Sequence, residues 1–298
     1  MNESCDEIAF IGIGTMGTPM VRRLVCGGYR PLLYDIDKAA AEAVAIELGL
    51  EVANSLNDLS ERCDVVIMML PGSNVVRQVC FGANGIADGA RAGLIIVDMS
   101  SSDAIATREL GDSLANRGIT LLDAPVSGGV RKAAEGTLAI MLGGENEDAV
   151  SRVLPFLESL GQPRRIGSLG SGHAAKALNN YVSAAGLTAA CEAVLIGREF
   201  GLDPHTFVEV LNASTGKNNS TENKLVQFML SGEFTRAGFA LSLMTKDVDL
   251  ANTLAEHVGF RAMGLQQARR DWMEAQTALG EGADHTEIFR FIESRGRD

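Results

Sequence analysis

The first 160 residues alternate short apolar runs with helical patterns, and few architectures accept such a chain. Residues 8–13, 32–34, 65–70, 94–97, 120–122 and 138–142 read as strands. Each is too short for a helix, and most are rich in β-branched side chains. Helical patterns fill 16–26, 38–48, 73–80, 104–116 and 147–160. Strand, helix and strand repeated in this way predict a mostly parallel, doubly wound sheet covered on both faces. The pattern changes at Gly167-Ser168-Leu169-Gly170-Ser171-Gly172. Beyond it, 173–200 reads as one long helix, followed by helical segments at 204–212, 221–230, 240–258, 261–279 and 285–293. The predicted organisation is therefore an α/β domain over residues 1–168 and an all-α domain over 169–298 that starts with a long interdomain helix. A length of 298 residues suits two domains of ordinary size.

Composition removes several function classes. The net charge is −12, with no basic stripe to neutralise phosphates, so a nucleic-acid partner is not expected. The same charge disfavours anionic membranes, and no apolar run approaches the ~20 residues of a spanning helix. Cys5, Cys26, Cys63, Cys80 and Cys191 are widely spaced and odd in number, without a CxxC. They read as buried, reduced thiols of a cytoplasmic protein. The acidic start, residues 1–7, is not expected to be a secretory or mitochondrial signal. His173, His205, His257 and His285 have no metal-ligand spacing, and no metal is predicted.

Gly12-Ile13-Gly14-Thr15-Met16-Gly17 is a GxGxxG between a predicted strand and a predicted helix, the context a dinucleotide fold requires. Gly12 permits the tight turn, Gly14 lets the backbone approach a pyrophosphate, and Gly17 lets helix and strand pack closely. The helix start then offers N–H groups and partial positive charge to the phosphates. Asp35 ends the second strand, where a carboxylate accepts hydrogen bonds from a ribose diol. It would repel the 2′-phosphate of NADP, and Ile36-Asp37-Lys38 supply no arginine fork, so NAD is expected over NADP. Asp37 is better placed than Asp35 to cap the next helix. Two further strand ends, Leu70-Pro71 and Asp98-Met99-Ser100-Ser101, are predicted to line the nicotinamide half of a Rossmann-type groove.

Four segments then resemble the β-hydroxyacid dehydrogenase family, which includes 3-hydroxyisobutyrate dehydrogenase and tartronate semialdehyde reductase and is related to 6-phosphogluconate dehydrogenase. They are the GIGTMGTPM stretch from Gly12 to Met20, Asp123-Ala124-Pro125-Val126-Ser127-Gly128-Gly129, Gly172-His173-Ala174-Ala175-Lys176-Ala177-Leu178-Asn179-Asn180, and Lys246-Asp247-Val248-Asp249-Leu250-Ala251. They occur in family order and span residues 12–251. The resemblance implies that Lys176 is the general acid/base and that Asn180 helps hold it and the substrate oxygen. It also implies that Ser127, Gly128 and Gly129 hold the substrate carboxylate, and that Lys246 lies near nicotinamide and substrate. Gly12, Ile13, Gly14, Thr15, Met16, Gly17, Asp35, Leu70, Pro71, Ser101 and Lys246 are the expected cofactor contacts.

The chemistry of these residues agrees. Lys176 and Asn180 are four apart, so they share one helical face, whereas Asn179 points elsewhere. A lysine titrates near 10.4 in water, and burial beside a cofactor or a second cation would make it a better base. Consecutive glycines after Ser127 free backbone N–H groups to converge on an anion. Asp247 is expected to be structural.

The implied activity is hydride transfer between NAD and the β-carbon of a small hydroxy acid, with 3-hydroxyisobutyrate foremost and tartronate semialdehyde as the alternative. A homodimer or homotetramer is also implied. Relatives that reduce imines usually replace the lysine, as do some non-catalytic NAD-binding relatives, so Lys176 argues against both. Two departures stand out. Many relatives carry Ser-Thr-x-Ser-Pro where this chain has Ser100-Ser101-Ser102-Asp103-Ala104, which leaves the loop shape open. The polar segment 217–224 falls where relatives close over the substrate, and an exposed interhelical loop is the other reading.

Overall fold

The apolar runs form strands that bury both faces. In the computed structural model, which describes residues 6–296, β1 (Ile8–Ile11), β2 (Leu32–Tyr34), β3 (Val65–Met68), β4 (Ile95–Asp98) and β5 (Thr120–Asp123) pair in parallel in the order β2-β1-β3-β4-β5. Cys5 and the rest of residues 1–5 lie outside the described residues. Successive side chains of a strand point to opposite faces. Accordingly Ile8, Phe10, Val65, Ile67 and Val97 enter one core, and Ala9, Ile11, Val66, Met68 and Ile96 enter another. On the first face pack α1 (Gly17–Cys26), α2 (Lys38–Leu48) and α8 (Glu147–Leu160), through residues such as Leu24, Val44 and Phe156. On the second pack α3 (Leu56–Arg62), α4 (Ser73–Phe81), α5 (Ile86–Gly89) and α6 (Ala104–Ala115), through Leu59, Val76, Ile86 and Leu114.

The far side of the sheet departs from the parallel pattern. β7 (Leu138–Gly143) runs antiparallel to β5 and to β6 (Val126–Ser127), and parallel to β8 (Gly161–Gly167). The short α7 (Gly129–Glu135) follows β6. β8 has no counterpart in the sequence reading. Its Gly-Gln-Pro-Arg-Arg-Ile-Gly lacks an apolar alternation because it is mostly exposed, and Pro163 is tolerated where no ladder donor is needed. β1 and β3 end two residues earlier than their apolar runs, because residues 12–13 and 69–70 turn into loops at the strands' carboxyl ends.

The chain divides into two compact units after Lys176, inside α9 (Ser171–Phe200). The second unit is helical: α10 (Pro204–Asn212), α11 (Asn219–Asn223), α12 (Leu241–His257), α13 (Met263–Leu279) and α14 (Ile288–Arg295) surround a core with Trp272 fully buried. Met229 and Met244 join that core. The segment read as one helix over 221–230 is instead α11 and a π-helical turn, Leu225–Leu230, with Lys224 at the break.

Among the described residues no helix is long and apolar enough to cross a membrane. Cys26, Cys63, Cys80 and Cys191 are free thiols; three are buried, but Cys26 is exposed, contrary to expectation. Burial pushes the Cys63 thiol up to about 11 and the Cys80 thiol up to about 12, which makes both unreactive.

Candidate active site

The glycine-rich turn leaves β1 where the strand order reverses, since β2 and β3 flank β1 on opposite sides. Ligands of open α/β sheets bind at such a point. Gly12 has φ +100°, and a Cβ there would lie 2.2 Å from the Met69 carbonyl oxygen. Only glycine fits this close approach. A Cβ on Gly17 would lie 1.8 Å from the Gly12 oxygen, so the helix start packs directly on the turn. Gly14 meets nothing within 4 Å, which leaves its backbone open to a ligand. Thr15 is exposed beside it, and Met16 leads into α1 without a side-chain cap. The Thr18 N–H is spent on the Gly14 carbonyl at 3.0 Å and Pro19 has none, so phosphate would be met by the open backbone of the turn rather than by the first turn of α1. An open backbone and an adjacent carboxylate are the features a dinucleotide needs, and the residues fit it.

Asp35 has two tasks here. Its Oδ2 accepts from the Ile13 N–H at 2.6 Å, and its Oδ1 accepts from the Asp37 N–H at 2.8 Å. The carboxylate therefore holds the glycine-rich turn and keeps lone pairs for a ribose. Asp37 caps α2 by accepting from the Ala40 N–H, as expected.

The two loops expected on the nicotinamide side are tied together. Ser100 is buried and accepts from the Leu70 N–H at 2.9 Å, while Asp98 accepts from the Ser100 N–H and from the Ser102 hydroxyl. Leu70 and Ser101 are half-buried and Pro71 is exposed. The missing proline falls at the first residue of α6, and Asp103 before it caps the helix by accepting from the Ile105 and Ala106 N–H groups. A strong N-cap defines the helix start without the proline.

Ser127, Gly128 and Gly129 join β6 to α7. Gly128 has φ +138° and Gly129 has φ +67°, conformations that L side chains rarely adopt. The pair is exposed beside a half-buried Ser127, and Gly129 meets nothing within 4 Å.

Lys176 is buried in the second turn of α9. The start of that helix is anchored on Asp123, fully buried at the end of β5. Asp123 accepts from the Gly170 N–H and the His173 N–H, both at 2.8 Å. A Cβ on Gly172 would lie 2.1 Å from the Met141 oxygen, so this glycine lets α9 rest on the strand ends. The glycines that read as a boundary in the sequence are thus also what allows this close seat.

Within the second unit, Asn180 is buried and its amide donates to Asp247 Oδ2 at 2.5 Å. The exposed Asn179 also reaches it, donating to Asn180 Oδ1 at 3.0 Å. Asp247 is buried, and Lys246 beside it on α12 is half-buried. The polar segment 217–224 is not a simple exposed loop. Asn218 makes a capping box with Thr221, Ser220 and Thr221 are buried, and Lys217 pairs with Glu222 at 2.8 Å. Lys224 ends it, with burial pulling its amine down to about 8.

Sequence reasoning missed the partners of these residues. Asp98, Thr107, Asp123 and His173 form a buried polar cluster, and Asp247 orients Asn180. The one signal available was that His173 precedes Lys176 by a single helical turn.

Residues 7–176 match the NAD-binding domain of 6-phosphogluconate dehydrogenase. Residues 170–292 match the NAD-binding family of NADP-dependent 3-hydroxyisobutyrate dehydrogenase. The chain is 34 % identical to 2-(hydroxymethyl)glutarate dehydrogenase of Eubacterium barkeri, over 84 % of this chain and 82 % of that protein. It is 34 % identical to the mitochondrial 3-hydroxyisobutyrate dehydrogenase of Bos taurus, over 96 % of this chain and 86 % of that one. Among solved structures, Mycobacterium tuberculosis 3-hydroxyisobutyrate dehydrogenase with L-serine superposes with TM-score 0.88 at 30 % identity, covering 96 % of this chain and 99 % of that one.

Proposed function

Because the chain belongs to the β-hydroxyacid dehydrogenase family, we propose that it interconverts a 2-substituted 3-hydroxypropanoate and its semialdehyde. The family binds NAD, and some members use NADP. 3-Hydroxyisobutyrate, 2-(hydroxymethyl)glutarate and L-serine share one skeleton, a hydroxymethyl group on a carbon that also bears a carboxylate and a variable third group. This chain's substrate shares that skeleton, with 3-hydroxyisobutyrate as the first choice. Tartronate semialdehyde, which yields glycerate, is the second reading.

The observation that carries the proposal is the buried Lys176 one turn before the buried Asn180. The nicotinamide, when bound, accepts or returns the hydride of the hydroxymethyl carbon. Lys176 takes the hydroxyl proton during oxidation and returns it to the carbonyl oxygen during reduction. The Asn180 amide, with one N–H committed to Asp247, offers the other to the same oxygen. The N–H groups around Gly128 and Gly129 bind the carboxylate, together with the Ser127 hydroxyl. Lys246 adds a cation near substrate and cofactor. Asp35 favours NAD through the ribose diol.

The active form is a homo-oligomer. Leu178, Val182, Ile196 and Phe200 lie on one stripe of α9 and are 44, 67, 71 and 85 % exposed. An apolar stripe of this length is covered when a second copy packs against it. Light scattering tests this, and a monomer at assay concentration would remove the claim.

The central test follows nicotinamide absorbance with a panel of β-hydroxy acids, using NAD and NADP separately. Turnover of a 2-substituted 3-hydroxypropanoate, with NAD preferred, is expected. Lys176→Ala should lose at least ~100-fold in kcat while NAD still binds. A Lys176→Ala enzyme with wild-type turnover would sink the proposal.

A further inference from the structure

His173 is fully buried and takes no part in the chemistry above. Its ring lies against two buried carboxylates: Nε2 is 3.7 Å from Asp98 Oδ2, and Nδ1 is 3.8 Å from Asp123 Oδ2. Neither distance is a hydrogen bond. Among the described residues, the ring's one hydrogen bond is between Nδ1 and the Thr107 hydroxyl, at 2.9 Å. Thr107 Oγ1 donates its own hydrogen to the Asp103 carbonyl at 2.8 Å. The hydroxyl oxygen can therefore only accept from the ring, and Nδ1 carries the hydrogen. Nε2 has no hydrogen-bond partner among the described residues.

Burying such a ring this way is unfavourable unless its position matters elsewhere. The contacts show what it joins. Asp123 ends β5 and holds the backbone of His173. Thr107 lies in the first turn of α6 and is tied to the cap of that helix. Asp98 ends β4 and, through Ser100, fixes the Leu70 N–H in the nicotinamide-side loop. His173 thus lies between the loops expected to flank the nicotinamide and the first turn of α9, directly before the turn that carries Lys176.

We propose that His173 is a positioning residue for Lys176: its Nδ1–H bond to Thr107 locks the first turn of α9 against α6, and so fixes the lysine for proton transfer. The inference rests on the reading of Lys176 as the acid/base. Proton and hydride transfer require near-contact geometry, and a shift of about 1 Å lowers a rate by roughly 100-fold. Losing the tether should therefore lower kcat and leave cofactor affinity alone, since no cofactor contact is removed.

The test uses the full-length enzyme with the substrate found in the panel. His173→Ala should lose at least about tenfold in kcat, with the Kd for NAD within about twofold of wild type. His173→Asn keeps an amide N–H where Nδ1 was and should recover kcat to within about threefold. Thr107→Val, which removes the hydroxyl at nearly constant volume, should repeat the loss of the alanine variant and keeps the test decisive if that variant does not fold. Full kcat in Thr107→Val overturns the proposal. So does a parallel loss of NAD affinity and kcat, which would mark His173 as merely structural. A separate Lys176→Ala measurement distinguishes failure of this inference from failure of the lysine assignment.

Discussion

Asp35→Asn is the perturbation that separates two effects of one side chain. The carboxylate accepts from the Ile13 N–H at 2.6 Å and from the Asp37 N–H at 2.8 Å. Asparagine has one oxygen, so it can serve one of these amides, and its NH2 group then faces the other donor. One charge-assisted hydrogen bond is lost and the second is weakened, about 1.5–3 kcal/mol in all. Expressed as affinity, that is roughly 10- to 150-fold. The loss distorts the glycine-rich turn, so it falls on NAD and NADP alike. The ratio between them reports something else. A carboxylate and a 2′-phosphate of charge about −1.5, some 6 Å apart in a medium of effective dielectric about 40–80, repel by about 1–2 kcal/mol. Removing the charge should shift the NAD-to-NADP preference by about 5- to 30-fold toward NADP. The assay is kcat/KM for each coenzyme at saturating substrate, with Kd from calorimetry. If NAD kcat/KM is unchanged, the turn does not depend on Asp35. If both fall by the same factor, Asp35 does not face the ribose.

Gly17→Ala should be strongly destabilising, because its Cβ would lie 1.8 Å from the Gly12 oxygen and must displace backbone; a loss of at least ~2 kcal/mol in urea unfolding is expected. A variant melting within a degree of wild type would contradict the close packing. Lys224 yields a pH-dependent prediction with a definite sign. Burial pulls its amine from 10.5 down to about 8, so the unfolded chain binds more protons between those values and folding gains stability as pH rises through them. The penalty is fully present below about 8, reaching up to ~3 kcal/mol before allowing for partial exposure. Lys224→Met should therefore melt higher than wild type at pH 7, with the gap closing toward pH 10.5. A gap that is independent of pH would refute the burial argument.

Much of the fold was readable because its determinants are local. β2, α2, α8 and α10 end where hydrophobic period, capping residues and glycines place them. Shorter elements escaped. α3, α5 and α7 have at most seven residues, too few for a 3.6-residue period to register. The site divides similarly. The glycine-rich turn, Asp35 and the one-turn relation of Lys176 to Asn180 follow from positions within single segments.

By itself, the sequence determined the alternation that makes a doubly wound sheet, the dinucleotide turn at its mouth, and the residue types available for hydride chemistry. All of these depend on neighbours within a helical turn or a strand–turn–helix unit, where covalent geometry limits the options. Only the tertiary structure decided which distant groups meet. His173 reaches Asp98, Thr107 and Asp123 across 50 to 75 positions of sequence, and Asn180 meets Asp247 across 67. The antiparallel turn of the sheet through β7 depends equally on pairing between remote segments. No periodicity encodes such encounters. They are selected when the chain buries its polar groups and each must find a partner away from water.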